Sequence, residues 1–286
     1  MMHRRRLRKE LKRERESASL TQREVAVAMD WSLSKLIRIE AGLVSIATND
    51  LRVLLSHYGI DDAARTEALI ETARIARTRS PWQDYSDLVS PELLMFLVFE
   101  AGATVIRYFE PLFVPGLLQT EDYARAALAA AFDVELTSNE KDRLVQLRTE
   151  RQEILTQERA SLHFIVDEAV IRRVAGDVDI MRGQLRRLLE LLDRPNVDIR
   201  VVPYTFGLYR TFQTPHVHFE FEDPTDEDVL YIENPRGDLL VREASGDSGG
   251  PTPANYLASF LQLQEGLDAE ATRELISAAM GALPPR

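Results

Sequence analysis

The sequence predicts an α+β protein, in which an all-helical N-terminal part is followed by a mixed α/β part with a partly antiparallel sheet. Up to about residue 79, apolar residues recur at helical spacing and several segments carry helix-start signals. Beyond residue 80, β-branched and aromatic runs alternate with amphipathic runs, which is typical of a sheet with crossover connections. The length of 286 residues is typical of about two domains. We therefore expect domains at residues 1–79 and 80–286.

Residues 20–40 carry the start signals of two short helices separated by a tight turn. Thr21 can cap the first helix, and Glu24 three residues later completes a capping box. Ser32 can cap the second helix, in which Leu36 and Ile39 have the spacing of an inward face. Two short helices joined in this way predict a helix-turn-helix, the arrangement that places a helix in the major groove of DNA.

The outward face of the second helix carries side chains that can contact base edges. This face holds Ser34, Lys35 and Arg38. Arginine can donate two parallel hydrogen bonds to O6 and N7 of guanine, so Arg38 is the strongest candidate for base recognition. Leu33 offers an apolar contact to a thymine methyl group, whereas Ser34 is permissive between bases. Alternatively, Arg38 pairs with a neighbouring carboxylate, Glu24 or Glu40, and contacts no DNA.

A basic helix precedes this pair of helices, and an apolar helix follows it. The preceding helix has Leu7 and Leu11 on its apolar side and a polar side that includes Arg15. The following helix covers residues 48–58, with leucines at core spacing. Together with the opening Thr21-Gln22 and the run from Ser32 to Gly42, these segments resemble the XRE family, the lambda-repressor and Cro-like regulators.

The resemblance implies specific contacts with double-stranded operator DNA. In that family the positions of Leu33, Ser34 and Arg38 reach base edges, and the position of Gln22 contacts a phosphate. We expect six DNA-binding residues, namely Gln22, Ser32, Leu33, Ser34, Lys35 and Arg38. The loop at residues 43–46 departs from the family because it contains no cation, which removes some backbone contacts.

The charge is divided unequally along the chain. Residues 1–80 contain 16 Lys and Arg against 11 Asp and Glu, a net charge of +5, whereas residues 81–286 contain 19 against 35, a net charge of −16. A basic part beside an acidic part is typical of a protein that binds DNA at one end only. The alternative is that the basic residues only form a solvated helix face.

Several classes of protein are disfavoured by composition. The absence of cysteine excludes disulfides and thiol catalysis and agrees with a reducing cytoplasm. The basic N-terminus is followed by no apolar signal segment, and the longest apolar run, residues 93–99, is far shorter than the roughly 20 residues that span a bilayer. We expect a cytoplasmic protein without a membrane segment.

The second part is predicted to alternate between helices and strands. A helix at about residues 61–79 closes the first part or links it onward, and in the second part we expect helices at about residues 93–100, 121–131, 138–157, 168–175, 179–192 and 255–264, and a last helix that ends near residue 280. We expect strands at residues 103–109, 162–166, 197–202, 216–221, 229–232 and 239–242. The last three strands are joined by turns, which indicates an antiparallel extension of the sheet.

A set of residues in the second part also indicates a family. These are Glu100, Tyr108–Glu110, Val114–Thr120, Tyr123–Ala124, Arg151–Gln152, Asp167–Ala169, Gln184–Leu185 and Asn196–Val197. They resemble a domain of unassigned function that follows XRE-type modules in actinobacterial regulators. The resemblance implies a regulator that is often encoded beside a small partner protein and works with it like an antitoxin. The segment 115–120 is either a turn with two core leucines or a ligand or partner site.

Two motifs resemble enzyme sites, and both have simpler explanations. Residues 246–251 match the segment around the nucleophile of chymotrypsin-like proteases, but no matching histidine segment or β scaffold surrounds Ser248, so an exposed loop is the better interpretation. His216 and His218 lie on one strand face with Glu220, as metal ligands would. The alternative is a pair of half-exposed strand histidines. We expect no enzyme, no metal and no cofactor.

The sequence as a whole predicts a sequence-specific DNA-binding regulator that acts as a homodimer, because a lone module of this size binds DNA modestly. The second part is expected to dimerise, or to bind a small protein partner or ligand. The alternative is an antitoxin-like protein that neutralises a small partner and uses DNA binding for autoregulation.

Overall fold

The computed structural model describes residues 2–40, 46–60, 62–77, 81–131, 136–157, 159–210, 214–222, 227–234, 237–242 and 252–285. The chain divides into two compact units, Met1–Gln83 and Asp84–Arg286. The first unit is helical, and the second combines helices with a mixed sheet, so the predicted α+β class is confirmed. Within the described ranges, no helix is both long enough and apolar enough to cross a membrane.

The first unit encloses its core with short helices. They are α1 (Met2–Ser17), α2 (Gln22–Ala28), α3 (Leu33–Glu40), α4 (Thr48–His57) and α5 (Ala63–Arg77). Leu51, Leu54 and Leu55 of α4 are fully buried, as their spacing predicts. Leu11 of α1 and Ile70 of α5 are buried in the same cluster, so the outer helices close over the helix-turn-helix pair.

The second unit is built on a sheet with the strand order β3-β2-β1-β4-β5-β6. The strands are β1 (Val105–Glu110), β2 (Ser161–Asp167), β3 (Val197–Val202), β4 (His216–Glu220), β5 (Val229–Ile232) and β6 (Leu239–Arg242). Strands β1 to β3 are parallel, and β4 to β6 continue from β1 in antiparallel pairs. The crossover half and the antiparallel extension both agree with the sequence pattern.

Helices surround this sheet. They are α6 (Pro91–Gly102), α7 (Glu121–Ala131), α8 (Ser138–Arg151), α9 (Glu168–Arg172), α10 (Val178–Leu191), α11 (Pro253–Glu265) and α12 (Ala269–Gly281). Two are shorter than predicted: α8 gives way to a 3-10 turn at Gln152–Leu155, and α9 ends at Arg172. On the edge strand β3, Val201 N donates to Thr272 Oγ1 at 3.0 Å, so α12 covers a sheet edge that would otherwise be open.

A buried ionic cluster connects α6, β1 and α8. Arg151 Nε and Nη2 donate to the two carboxylate oxygens of Glu100 at 2.8 Å each. The Tyr108 hydroxyl donates to the same carboxylate, and burial raises the pKa of Tyr108. Glu100 is 3% exposed, so its charge is stabilised by these partners and not by water.

The segment from Pro115 to Thr120 forms part of the scaffold. Leu117 and Leu118 are fully buried. Gln184 accepts from Thr120 N at 2.7 Å and donates to Leu118 O at 2.8 Å, while Gln152 donates to Gln119 O at 2.7 Å. These contacts satisfy the backbone of the segment from two different helical regions, which favours the turn interpretation over the ligand-site interpretation.

Glu100→Gln should destabilise the second unit strongly, because the substitution leaves the Arg151 guanidinium buried without a compensating charge. We expect the free energy of unfolding to fall by roughly 3–5 kcal/mol. Both tryptophans belong to the first unit, so urea unfolding followed by far-UV circular dichroism, with tryptophan fluorescence as the reference, isolates the second unit.

The matched control is Glu190→Gln, whose side chain is 59% exposed and lies 3.9 Å from Arg187. We expect it to cost less than about 1 kcal/mol. Equal effects of the two substitutions would show that the buried cluster does not stabilise the fold.

Candidate nucleic-acid interface

The turn between α2 and α3 forms as the sequence signals require. Thr21 Oγ1 accepts from Glu24 N at 3.2 Å, and Glu24 Oε2 accepts from Thr21 N at 2.8 Å, which completes the predicted capping box. Asp30 adopts a left-handed φ of 52°, where a short polar side chain is tolerated, and the chain then reverses direction. Ser32 Oγ accepts from Lys35 N at 3.1 Å and begins α3. The predicted helix-turn-helix is therefore present.

Helix α3 packs one side into the core of the first unit. Leu36 and Ile39 are 0% and 4% exposed and pack into the core of the first unit, as predicted. Leu33 is 37% exposed at the start of the helix. The side chains of Ser34 and Arg38 lie outside the described part of the chain, so their contacts with DNA stay predictions.

The ammonium group of Lys35 has two partners on the protein. It donates to Asp50 Oδ2 at 3.1 Å and lies 3.9 Å from the centre of the Trp31 ring. Trp31 is partly buried against the core, as expected for a packing residue. An ion pair with side chains 38% and 39% exposed is worth little, so a DNA phosphate could replace Asp50 at small cost.

A buried ion pair connects α1 to α3 of the helix-turn-helix. Arg15 Nε and Nη2 of α1 donate to the Glu40 carboxylate of α3 at 2.7 and 3.1 Å. The two side chains are only 9% and 4% exposed, and this contact raises the pKa of Arg15. Gln22 Nε2 of α2 donates to Glu40 at 2.8 Å. This leaves the second amide hydrogen of Gln22 available to donate to a phosphate oxygen.

The sequence interpretation of Arg15 was wrong, since the residue was assigned to a polar helix face. Its buried position could have been recognised from the spacing Leu7, Leu11 and Arg15, which places the arginine on the apolar side of α1. Glu40 follows Leu36 by four residues in the same way. Glu40 and Glu24 were the alternative partners considered for Arg38. The Glu40 carboxylate accepts from Arg15 and Gln22, and the Glu24 carboxylate accepts from Thr21.

The two histidines of β4 are buried and not half-exposed as expected. His216 and His218 are 2% and 1% exposed. Burial lowers the pKa of each to about 4, and the Arg107 guanidinium also lowers the pKa of His218. The ring nitrogens of His218 lie 3.6 Å from Glu220 and 3.5 Å from Asp228, on separate sides of the ring. Over the described ranges, no three His, Asp or Glu side chains are grouped to hold a metal ion.

Serine chemistry finds little support in the described residues. Ser248 and its segment lie outside them. Ser161 Oγ is 2.9 Å from His163 Nε2, and His163 Nδ1 is 3.6 Å from Asp198. However, Gln264 Nε2 lies 3.1 Å from the same Nδ1 and donates to Asp198 Oδ2 at 2.5 Å, so an amide shares the contact between His163 and Asp198. Ser161 itself is exposed at the start of β2.

Two family models match the chain. A helix-turn-helix domain family matches residues 6–68, and a domain of unknown function, DUF5753, matches residues 93–278. The chain belongs to the DUF5753 family. No curated protein and no solved structure matches it. The helix-turn-helix match and the geometry of α2 and α3 together identify this DUF5753 protein as a DNA-binding regulator of the helix-turn-helix type.

Glu40→Gln should destabilise the first unit, because it leaves the buried Arg15 guanidinium without a counter-charge. We expect a loss of roughly 3–5 kcal/mol in the free energy of unfolding. Trp31 and Trp82 both lie in this unit, so urea unfolding followed by tryptophan fluorescence measures it directly.

Glu16→Gln serves as the control, since Glu16 lies 3.7 Å from the same Arg15 but is 56% exposed. We expect this change to cost less than about 1 kcal/mol. A loss for Glu40→Gln no larger than that of the control would show that the buried pair is dispensable.

Proposed function

We propose that this DUF5753 protein is a sequence-specific transcriptional regulator that reads operator DNA with α3. The observation that carries the proposal is the capped α2–α3 pair, in which α3 buries Leu36 and Ile39 while Leu33 at its start is 37% exposed. The net charge of +5 over residues 1–80 supports attraction to the phosphate backbone.

Each predicted contact has a distinct role in this proposal. Arg38 donates to guanine, and Leu33 and Ser34 contact neighbouring base edges. Gln22 and Lys35 bind phosphates, which positions the helix without reading sequence. Ser32 begins α3 at the groove.

The second unit supplies regulation in this proposal. We infer that the protein acts in the cytoplasm as a homodimer that reads half-sites about one helical turn, roughly 34 Å, apart. A small protein partner or ligand binds the second unit and changes dimer geometry or DNA affinity. The second candidate function is an antitoxin-like protein that neutralises a small partner, and the implied actinobacterial resemblance is what favours it.

Selection of binding sites from a random DNA pool tests the DNA-reading proposal. The experiment uses the full chain at a stated salt concentration, because affinity for DNA depends steeply on salt. We expect a palindromic site for the wild type. Arg38→Ala should lose a guanine preference at one position of each half-site, at a cost of roughly 1–3 kcal/mol.

The matched control for this selection is Arg74→Ala, which removes the same charge from the first unit. Arg74 pairs with Glu71 on α5 at 3.4 Å and lies on neither α2 nor α3. We expect the control to keep the wild-type motif. If no motif emerges, or if binding needs a co-purified small protein, the antitoxin-like function replaces the first proposal.

Light scattering tests the homodimer. We expect a mass of twice the 32.5 kDa chain at micromolar concentration. A mass equal to the single chain would contradict it.

Unchanged operator affinity at a saturating concentration of a bound partner would contradict the regulatory coupling.

A further inference from the structure

A pocket of about 620 Å³ opens at the carboxyl ends of the parallel strands of the second unit. Its lining comes from the segments that directly follow β1, β2 and β3. We call it the strand-end pocket and define it by Leu112, Asp167, Arg173, Tyr204, Leu208 and Tyr209. Ligands of α/β sheets bind at this end of the strands, and the volume lies within the range of roughly 300–1,000 Å³ that is usual for small-molecule sites.

The rim of the strand-end pocket exposes large apolar side chains. Leu112 is 59% exposed, Tyr204 is 61% exposed and Leu208 is 87% exposed. Three such side chains around one concavity leave apolar area in water that a ligand would cover. This exposure is unlike the rest of the region, where Phe109, Ile165 and their neighbours are fully packed.

The loop after β3 holds this rim in place without a ligand. Tyr204 N donates to Glu168 Oε2 at 2.8 Å. The Tyr209 hydroxyl donates to Asp167 Oδ2 at 3.0 Å, and its ring packs edge-on to Phe109. Gly207 turns the chain with a left-handed φ of 78°. The pocket wall is therefore preformed, which reduces the entropy that binding must overcome.

The charges around the strand-end pocket select the charge of the ligand. Asp167 accepts from Ala169 N at 2.9 Å and from Tyr209, so its carboxylate is satisfied by the protein. Glu168 pairs with Arg172 at 3.0 Å. In the part of the chain that the structure describes, no carboxylate pairs with the exposed guanidinium of Arg173 at the pocket. The charge of Asp167 remains, but both of its oxygens already accept from donors of the protein, so the guanidinium of Arg173 is the charged group left to pair with a ligand.

We propose that the strand-end pocket binds a small apolar molecule that carries a carboxylate. The apolar body packs between Leu112, Tyr204 and Leu208, and the carboxylate accepts hydrogen bonds from Arg173. The role of this pocket as the effector site of a regulator rests on the proposed function. Ligand binding itself can be measured without DNA.

Three probes with one apolar body and different charges test the inference. They are 1-naphthaleneacetate, the neutral 1-naphthaleneacetamide and the cationic 2-(1-naphthyl)ethylamine. Isothermal titration calorimetry with the full chain gives the Kd of each probe. We expect the carboxylate to bind roughly tenfold or more tightly than the amide, since it alone forms a charge-assisted pair with Arg173, and the amine to bind most weakly.

Two variants and two controls assign the contacts. Arg173→Gln should remove the difference between carboxylate and amide, whereas Arg187→Gln, on α10 and away from the pocket, should keep it. Leu208→Ser should weaken all three probes by a similar factor. Leu261→Ser is its control, because Leu261 is a 38% exposed leucine on α11 that does not line the pocket.

The inference is overturned if no probe binds at millimolar concentration, if the amine binds as well as the carboxylate, or if Arg173→Gln behaves like Arg187→Gln. Operator affinity is then measured with and without 1-naphthaleneacetate. Binding of the carboxylate with unchanged operator affinity confirms the pocket and contradicts regulation through it. Failure of operator binding by the protein alone contradicts the proposed function and leaves the calorimetric result intact.

Discussion

The buried pair of Arg15 and Glu40 is the constraint on which the DNA-reading unit depends. It joins α1 to α3, and Glu40 also holds Gln22 at the start of α2, so one carboxylate orients three helices. Removing two charges from water is costly, and a buried pair is weak evidence for added stability. What the pair supplies is geometry, because its two hydrogen bonds of 2.7 and 3.1 Å fix Arg15 of α1 against Glu40 of α3. That arrangement positions α3 relative to α1 and α2.

The local part of this architecture could be predicted from sequence. Thr21 with Glu24 and Ser32 are cap signals that act within a single turn of helix, and they place the starts of α2 and α3 correctly. The strand order and the ionic clusters depend on contacts between distant segments. Glu100 and Arg151 are 51 residues apart, and nothing in a local pattern pairs them. Arg15 lies between these two cases. Its spacing from Leu7 and Leu11 indicated a buried position, but its charge favoured an exposed one.

The interior of the second unit keeps several ionisable groups neutral at pH 7. His216 and His218, with pKa values of about 4, stabilise the fold above their usual pKa of 6.5, and this contribution is lost as the pH falls towards 4. Burial and the nearby Glu233 raise the pKa of Glu110 to about 8, so its contribution is lost as the pH rises from 4.5 towards 8. The two effects oppose each other where their intervals overlap, between about pH 4.5 and 6.5, which makes the stability of this unit less dependent on pH there than either group alone.

The unequal charge of the two units limits how regulation can work. A region with a net charge of −16 is repelled by DNA on balance, so we expect the second unit to add little to operator binding through phosphate contacts of its own. In the proposed homodimer, a ligand would then act on the spacing or the association of the basic units. A ligand shifts such an equilibrium only by the difference in its affinity for the two states. The strand-end pocket meets this requirement only if its rim, formed by the loops after β1 and β3, differs between a DNA-competent and an incompetent dimer. The coupling would then lie in those loops and not in the packed sheet.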